Sequence, residues 1–314
     1  MTSTHDAVLL IAFGGPTVPE DIRPFLARVT EGIAIPPERL EEVAHHYEAV
    51  GGKSPLNDIT FRQAKALEKI LNTQGAALPV YVGLRNSSPF FSETLAQMAR
   101  DGVKRALGFI LSSHRTEASW ERYQKNIADA RVELGNHAPT IDYCDSWNDH
   151  PQFIRCWVEL IEAAFAKLAP EKKESTPLIF TAHSLPIIMA ARSPYVEQLN
   201  TSARMIAEKL KHRPWSLAYQ SRSGKPTEPW LEPDIGEAIR QLASQLQKQV
   251  IVAPIGFVCD HVEVLYDLDI EAKKIADNLK VRMIRASCPN DYPTFIQMIA
   301  SVIRERLKAA ENRG

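Results

Sequence analysis

Glu263, Asp267 and Glu271 stand four residues apart. On a helix that spacing draws one acidic line. Like charges so placed repel by about a few tenths of a kcal/mol per pair. Acidic residues in a first helical turn favour the positive end of the helix dipole, but a line continuing into later turns needs a cation or solvent to offset it. Two readings follow. One is a path for a hard divalent cation or for protons. The other is a solvated acidic face, with Asp260 as N-cap and Glu263 as its capping-box partner. The line follows an apolar run, Val250-Ile251-Val252-Ala253-Pro254, that reads as a buried strand. A second apolar run, Pro177-Leu178-Ile179, leads into Phe180-Thr181-Ala182-His183-Ser184-Leu185-Pro186 and places His183 at a strand's carboxyl end. Ligands of open α/β sheets bind outside those ends. Imidazole at one end and carboxylate at another favour a site more than either does alone.

The elements that must hold these residues alternate along the chain. Apolar runs predict strands at 8–12, 80–84, 106–111 and 140–144, then at 178–182, 216–220, 250–254 and 281–285. Helical periodicity fills the intervals: 18–30, 38–50, 58–71, 90–101, 117–134 and 151–168, then 195–211, 235–247, 261–279 and 293–311. Strands alternating with helices predict an α/β protein with parallel sheets built from right-handed crossovers. Four strands per half give two similar three-layer domains with the cleft between them. The polar stretch Glu171-Lys172-Lys173-Glu174-Ser175-Thr176-Pro177 sets the expected boundary. The domains would be 1–172 and 173–314, with the last helix packing back on the first domain.

Composition narrows the class. The chain has 314 residues, 45% hydrophobic and 24% charged, with a net charge of −1. That is a globular composition with no bulk attraction for nucleic acid or an anionic membrane. No apolar run approaches the ~18 residues a spanning helix needs. Met1-Thr2-Ser3-Thr4-His5-Asp6 lacks the basic and apolar regions of a signal peptide, so the expectation is cytoplasmic. The four cysteines, at 144, 156, 259 and 288, show no CxxC spacing, which suggests neither a zinc site nor a local disulfide framework. No GxGxxG follows the first strand and no GxxxxGK[ST] occurs, which leaves a nucleotide-binding reading without support.

The two strand-end stretches, Thr181-Ala182-His183-Ser184-Leu185-Pro186 and Gly256-Phe257-Val258-Cys259-Asp260-His261-Val262-Glu263-Val264-Leu265-Tyr266-Asp267, together resemble the signature pair of the ferrochelatases. Gln220-Ser221-Arg222-Ser223-Gly224-Lys225-Pro226 and Pro229-Trp230-Leu231-Glu232-Pro233-Asp234 strengthen the likeness, as do Phe13-Gly14-Gly15-Pro16 and Gly51-Gly52-Lys53-Ser54-Pro55-Leu56. The matches run in order through nearly the whole chain. The resemblance implies two Rossmann-like, chelatase-like domains and insertion of Fe²⁺ into a porphyrin in haem biosynthesis. It assigns the proton and metal steps to His183 and Glu263, with Asp267 and Glu271 as outer metal stations that could take Mg²⁺ or another divalent ion. It also implies a π-type distortion in the helix carrying the line; such bulges often occur at functional sites. An imidazole suits proton removal because its unperturbed pKa is about 6.5.

Porphyrin faces call for apolar walls with polar anchors at the rim. Wall candidates are Phe13, Trp120, Tyr123, Leu185, Ile187 and Trp230. His46, Tyr47, Ser54 and Tyr123 fall where relatives contact the substrate. Ser54 also fits a plain helix-leading turn. Two departures stand out. Phe13 replaces a tyrosine that ligates the product iron in relatives acting on coproporphyrin, and it has no oxygen. Thr30-Glu31 lacks an arginine that relatives use on a propionate; Arg28 is a candidate substitute. The tail from Ile303 has no cysteine, so no [2Fe–2S] cluster is expected there. Ser221-Arg222-Ser223-Gly224, Arg85-Asn86 and the Pro229–Asp234 stretch resemble the coproporphyrin III enzymes of Gram-positive bacteria, and that resemblance implies coproporphyrin III as substrate. The expected partners are that porphyrin, Fe²⁺ and a handover protein for the product, with the chain itself a monomer. Protoporphyrin IX, a related cobalt chelatase and a non-enzymatic haem carrier are the alternatives.

Overall fold

The computed structural model describes residues 5–32, 35–74, 77–223 and 227–311. The Met1–Thr4 start and the Gly224-Lys225-Pro226 end of the Gln220 motif lie outside them. Among the described residues, eight strands form two four-stranded parallel sheets of the same topology. In the first, β1 (Ala7–Ala12), β2 (Val80–Leu84), β3 (Arg105–Ile110) and β4 (Thr140–Tyr143) are ordered β2-β1-β3-β4. In the second, β5 (Leu178–His183), β6 (Trp215–Gln220), β7 (Gln249–Ala253) and β8 (Arg282–Arg285) are ordered β6-β5-β7-β8. All eight lie where the apolar runs predict them.

Both sheets are flanked by helices, and the strand burial shows why. Successive strand residues face opposite sides, yet every residue of β1 is buried. Ala7, Leu9 and Ile11 join one core with the helices Phe91–Arg100 and Arg122–Leu134. Val8 and Leu10 are buried on the other face. In the second sheet Ile179, Val250 and Val252 pack with Ile235–Ser244 and with the segment that carries Val264 and Leu268. Phe180 and Ile251 are buried on the opposite side.

The chain divides into unit 1 (Met1–Ser112, Ala118–Ser146 and Asp291–Gly314) and unit 2 (Ser113–Glu117 and Trp147–Asn290). The boundary therefore falls at 146/147 rather than near 172. The helix Pro151–Phe165 carries an apolar stripe that packs against β7 and the helix Tyr195–Leu210. The polar stretch after it is a surface connection within unit 2. The last helix, Pro293–Glu311, belongs to unit 1 and packs on Leu56–Gln74.

Candidate active site

Alternation along the strands selects the residues at the carboxyl edge of the second sheet. His183 shares its face of β5 with Ile179, and Gln220 shares its face of β6 with Ala218. Ile179 and Ala218 pack in the core under Val264 and Leu268, so His183 and Gln220 lie on the side of the Glu263 segment. Register makes them neighbours, since His183 pairs with Gln220. The strand order reverses between β5 and β7, the place where ligands of such sheets bind.

Glu263 stands between two imidazoles. Its Oε1 is 3.7 Å from His183 Nε2, and its Oε2 is 3.6 Å from His261 Nε2. His183 Nδ1 donates a short hydrogen bond to the Ser184 carbonyl oxygen. That bond places a proton on Nδ1 and leaves Nε2, the atom facing Glu263, to accept one. The buried Tyr195 hydroxyl donates to the His183 carbonyl oxygen at 2.9 Å. Gln220 Nε2 donates to the Glu263 carbonyl oxygen. Burial alone would raise the Glu263 carboxyl, but at the acidic pH where it titrates the imidazoles are protonated, and His183 first, then the contact and charge of His261, outweigh burial and bring it down to about 2. A carboxyl so placed stays ionised at neutral pH.

The histidine loop is fixed by the neighbouring motif. Ser184 Oγ donates to Leu231 O at 2.9 Å, Leu231 N to Leu185 O at 2.9 Å, and Ile187 N to Pro229 O at 3.0 Å. A short helix, Ile187–Ala190, follows; it is too brief to carry a periodic signal. Gly256 closes the other side. Its N–H donates to Thr181 O at 3.0 Å, and a Cβ there would stand 2.5 Å from Ala182 Cβ and 2.7 Å from Ala182 Cα. Only glycine permits that approach.

The acidic line runs along an interrupted helix. A four-residue α turn, Val262–Leu265, gives way to a π-helical stretch, Asp267–Ala272, and then to Lys273–Asn278. Tyr266 O accepts from both Ile270 N and Glu271 N, the switch from α to π bonding. Glu263 and Asp267 are partly exposed and Glu271 is exposed, so the line leads outward. Asp267 accepts a short hydrogen bond from Ser221. Among the described residues no group of three or more His, Cys, Asp or Glu side chains converges to hold a metal ion. The four residues expected to bind metal thus form a file rather than a cage. The capping-box alternative is overturned. His261, not Asp260, precedes the helical turn, with no side-chain cap, and Asp260 is engaged by Arg285 and Asn290.

In unit 1 the Phe13–Pro16 turn is gripped by the protein itself. Gly15 N donates to Asn57 Oδ1 at 2.9 Å and Asn57 Nδ2 to Gly15 O at 3.1 Å. Ser54 is buried and its Oγ accepts from Leu56 N at 3.3 Å, the helix-leading role. The Thr30 hydroxyl donates to Leu26 O at 2.8 Å. Phe13, Phe25 and Tyr47 form a chain of edge contacts with centroids 6.1 and 5.9 Å apart. His46 is partly buried, and burial lowers its pKa. Trp120 and Tyr123 are buried in the unit 1 core, with Phe13 packed against it. Arg28 Nε donates to Asn86 O at 2.9 Å while its guanidinium lies 5.5 Å from the Phe90 ring centre.

His261 and Gln220 had no role in the sequence reading. The signals were there. Gln220 ends the strand that neighbours His183. His261 stands two residues before Glu263 inside the quoted motif, and the structure brings its Nε2 to 3.6 Å from the carboxylate.

A family model described as ferrochelatase matches residues 5–307. The chain belongs to the ferrochelatase family. It is 41% identical to a ferrochelatase of Rhodopirellula baltica over 305 residues, covering 96% of this chain and 86% of that one. It is 40% identical over 307 residues to the coproporphyrin III ferrochelatase of Mycolicibacterium smegmatis, covering 97% and 90%. With that of Mycobacterium leprae it shares 42% over 303 residues, covering 96% and 89%. Among solved structures, the sirohydrochlorin chelatase SirB of Bacillus subtilis subspecies spizizenii superimposes with a TM-score of 0.59 at 10% identity, covering 98% and 97%. At that identity the match speaks for the fold alone. No helix of this ferrochelatase-family chain, among the described residues, is long and apolar enough to cross a membrane.

Proposed function

We propose that this protein inserts Fe²⁺ into coproporphyrin III, releasing two protons and forming the iron porphyrin. The observation that carries the reading is the His183–Glu263 pair at 3.7 Å with Nδ1 of His183 already committed. Insertion needs a base for the pyrrole protons and an anionic ligand that lets a hydrated ferrous ion shed water. His183 Nε2 is the open basic atom. The resulting imidazolium is stabilised by the adjacent carboxylate. Glu263, held ionised, is a poor proton acceptor and a good oxygen ligand, so we assign it the metal and His183 the proton. Asp267 and Glu271 offer the hydrated ion, or a resident divalent cation, a graded approach from solvent. Phe13, Thr30, His46, Tyr47, Ser54 and Tyr123 are proposed on the porphyrin side. A handover protein for the sparingly soluble product fits this reading.

The substrate class rests on the motif likeness and on relatives named for coproporphyrin III at 40–42% identity. The test is anaerobic turnover with Fe²⁺, comparing coproporphyrin III with protoporphyrin IX by absorbance. Faster conversion of coproporphyrin III is the expected result. Preference for protoporphyrin IX overturns the substrate, and binding without turnover overturns the enzyme in favour of a carrier.

A further inference from the structure

The segment that carries Glu263, Asp267 and Glu271 is not a regular helix, and one side chain outside it spans its irregular part. Arg285, at the end of β8, donates from Nε to Asp269 Oδ1 at 2.7 Å and from Nη2 to Asp269 Oδ2 at 2.8 Å. Its Nη1 donates to Asp260 Oδ1 at 3.0 Å. Asn290 closes the other side, donating from Nδ2 to Asp260 Oδ2 at 2.8 Å and accepting from Asp260 N at 2.8 Å. The Arg285 side chain is only 15% exposed and Asp260 only 20%, so that pair is not a loose surface contact; the more open Asp269 end is held by two parallel bonds.

Asp260 and Asp269 flank Glu263 and Asp267. They are nine positions apart in the chain. A continuous α-helix through them would make about two and a half turns and face them to opposite sides. One guanidinium reaches both along a chain that is extended at His261 and π-helical from Asp267. The fork therefore discriminates between the bulged path and a regular helix. Lysine, a single point charge, offers no such fork.

We propose that Arg285 is a positioning residue: it fixes the bulged register of the Asp260–Ala272 segment and so the placement of Glu263 and Asp267 for the incoming metal ion. The metal half of this statement rests on the function proposed above; the register half does not. Amide hydrogen exchange and steady-state turnover are read side by side on the unmodified protein, Arg285→Lys and Arg285→Gln. Exchange across 263–272 accelerates by about tenfold or more in both variants, while β5 and β7 keep their protection. The KM for Fe²⁺ rises about tenfold with the porphyrin KM within about twofold, because misplaced groups cost the step they serve. Unchanged exchange overturns the proposal whatever turnover does. Faster exchange throughout unit 2, or equal changes in both KM values, reduces Arg285 to a general structural role and overturns it as well. An unmodified protein that inserts no iron sinks the function proposed above, and exchange still decides the clamp.

Discussion

The two units repeat one topology and put different chemistry on it. In each, the first strand lies at the centre, and the third strand lies beside it across the reversal of strand order. In each, a backbone N–H beyond the third strand reaches back to the first: Leu111 N to Ile11 O in unit 1, Gly256 N to Thr181 O in unit 2. Two residues beyond those carbonyls stand Phe13 and His183. In each, the helix after the third strand carries a π-helical stretch, Glu117–Glu121 in one sheet's connection and Asp267–Ala272 in the other's. The first precedes Tyr123 and holds Trp120; the second sits in the acidic line. One edge thus presents rings and the other an imidazole and carboxylates. The scaffold supplies positions, and the residue types set the two copies apart: rings at one edge, ionisable side chains at the other.

The sharpest break of that comparison is a pair of substitutions at matching positions. His183→Ala should lower kcat by ~10²–10⁴-fold, the usual contribution of a positioned acid–base group, while porphyrin binding measured by fluorescence quenching persists. Phe13→Ala removes part of a half-buried wall, about 1 kcal/mol or roughly fivefold in porphyrin KM, with kcat retained. Equal losses of kcat at both positions would mean that the two edges share the chemistry.

Glycines sharpen it next. Gly256→Ala drives a Cβ against Ala182, where the obstructing atoms are Cβ and backbone Cα, and no smaller neighbour relieves the latter. It should cost about 1–3 kcal/mol in denaturant unfolding and, by moving Ala182, displace His183 and reduce turnover. Gly14→Ala meets the Ser87 hydroxyl and a φ of +83°, costing ~1–2 kcal/mol for the left-handed backbone. Ser87→Ala should partly rescue Gly14→Ala. Ala182→Gly should leave Gly256→Ala largely unrescued.

Much of this was legible because strands buried on both faces read as apolar runs, and eight of them alternate with helices. The His183–Glu263 pairing was legible as two strand ends of one sheet. What was not legible depends on long-range partners. Asp260 reads as an N-cap until Arg285 and Asn290, 25 and 30 residues on, claim its carboxylate. The π stretch leaves the four-residue acidic spacing unchanged, so only the family likeness announced it. The polar 171–177 stretch reads as a linker because spacing does not show that Pro151–Phe165 packs forward onto β7. His114 reads as one more strand-end histidine. It is 2% exposed, with Nδ1 2.8 Å from Ser113 Oγ and Nε2 3.0 Å from Ser202 Oγ.

That buried histidine gives the fold a pH dependence of its own. Burial depresses the His114 pKa to about 3, against about 6.5 in an unfolded chain. Between those values the unfolded state binds the extra proton, so stability rises with pH. The contribution is fully present above pH ~6.5 and is lost as pH falls towards 3. Urea midpoints measured from pH 7 down to 4 should fall in the unmodified protein and fall less steeply in His114→Asn. Parallel slopes would remove His114 as the cause.

The smallest expected effect compares the helices that follow the second strand of each sheet. Asp234 caps Ile235–Ser244, its Oδ1 accepting from Gly236 N at 2.7 Å and its N–H reaching Glu237 Oε2 at 3.3 Å. The corresponding helix in unit 1, Phe91–Arg100, begins after Phe90, which has no capping oxygen, and relies on Glu93 Oε2 for Phe90 N at 2.7 Å and Ser88 Oγ at 2.8 Å. Asp234→Ala should therefore cost about 1 kcal/mol, and Phe90→Ala should show no cap loss at all. Asp234 also ties into the edge that carries His183, since its bridge to Tyr219 sits one residue before Gln220. If the cap serves only the helix, Asp234→Asn, which keeps the accepting oxygen, restores stability and turnover together. If turnover stays low in Asp234→Asn while stability returns, the carboxylate's charge reaches the edge where His183 and Glu263 meet, and the scaffold of unit 2 is less separate from its chemistry than that of unit 1.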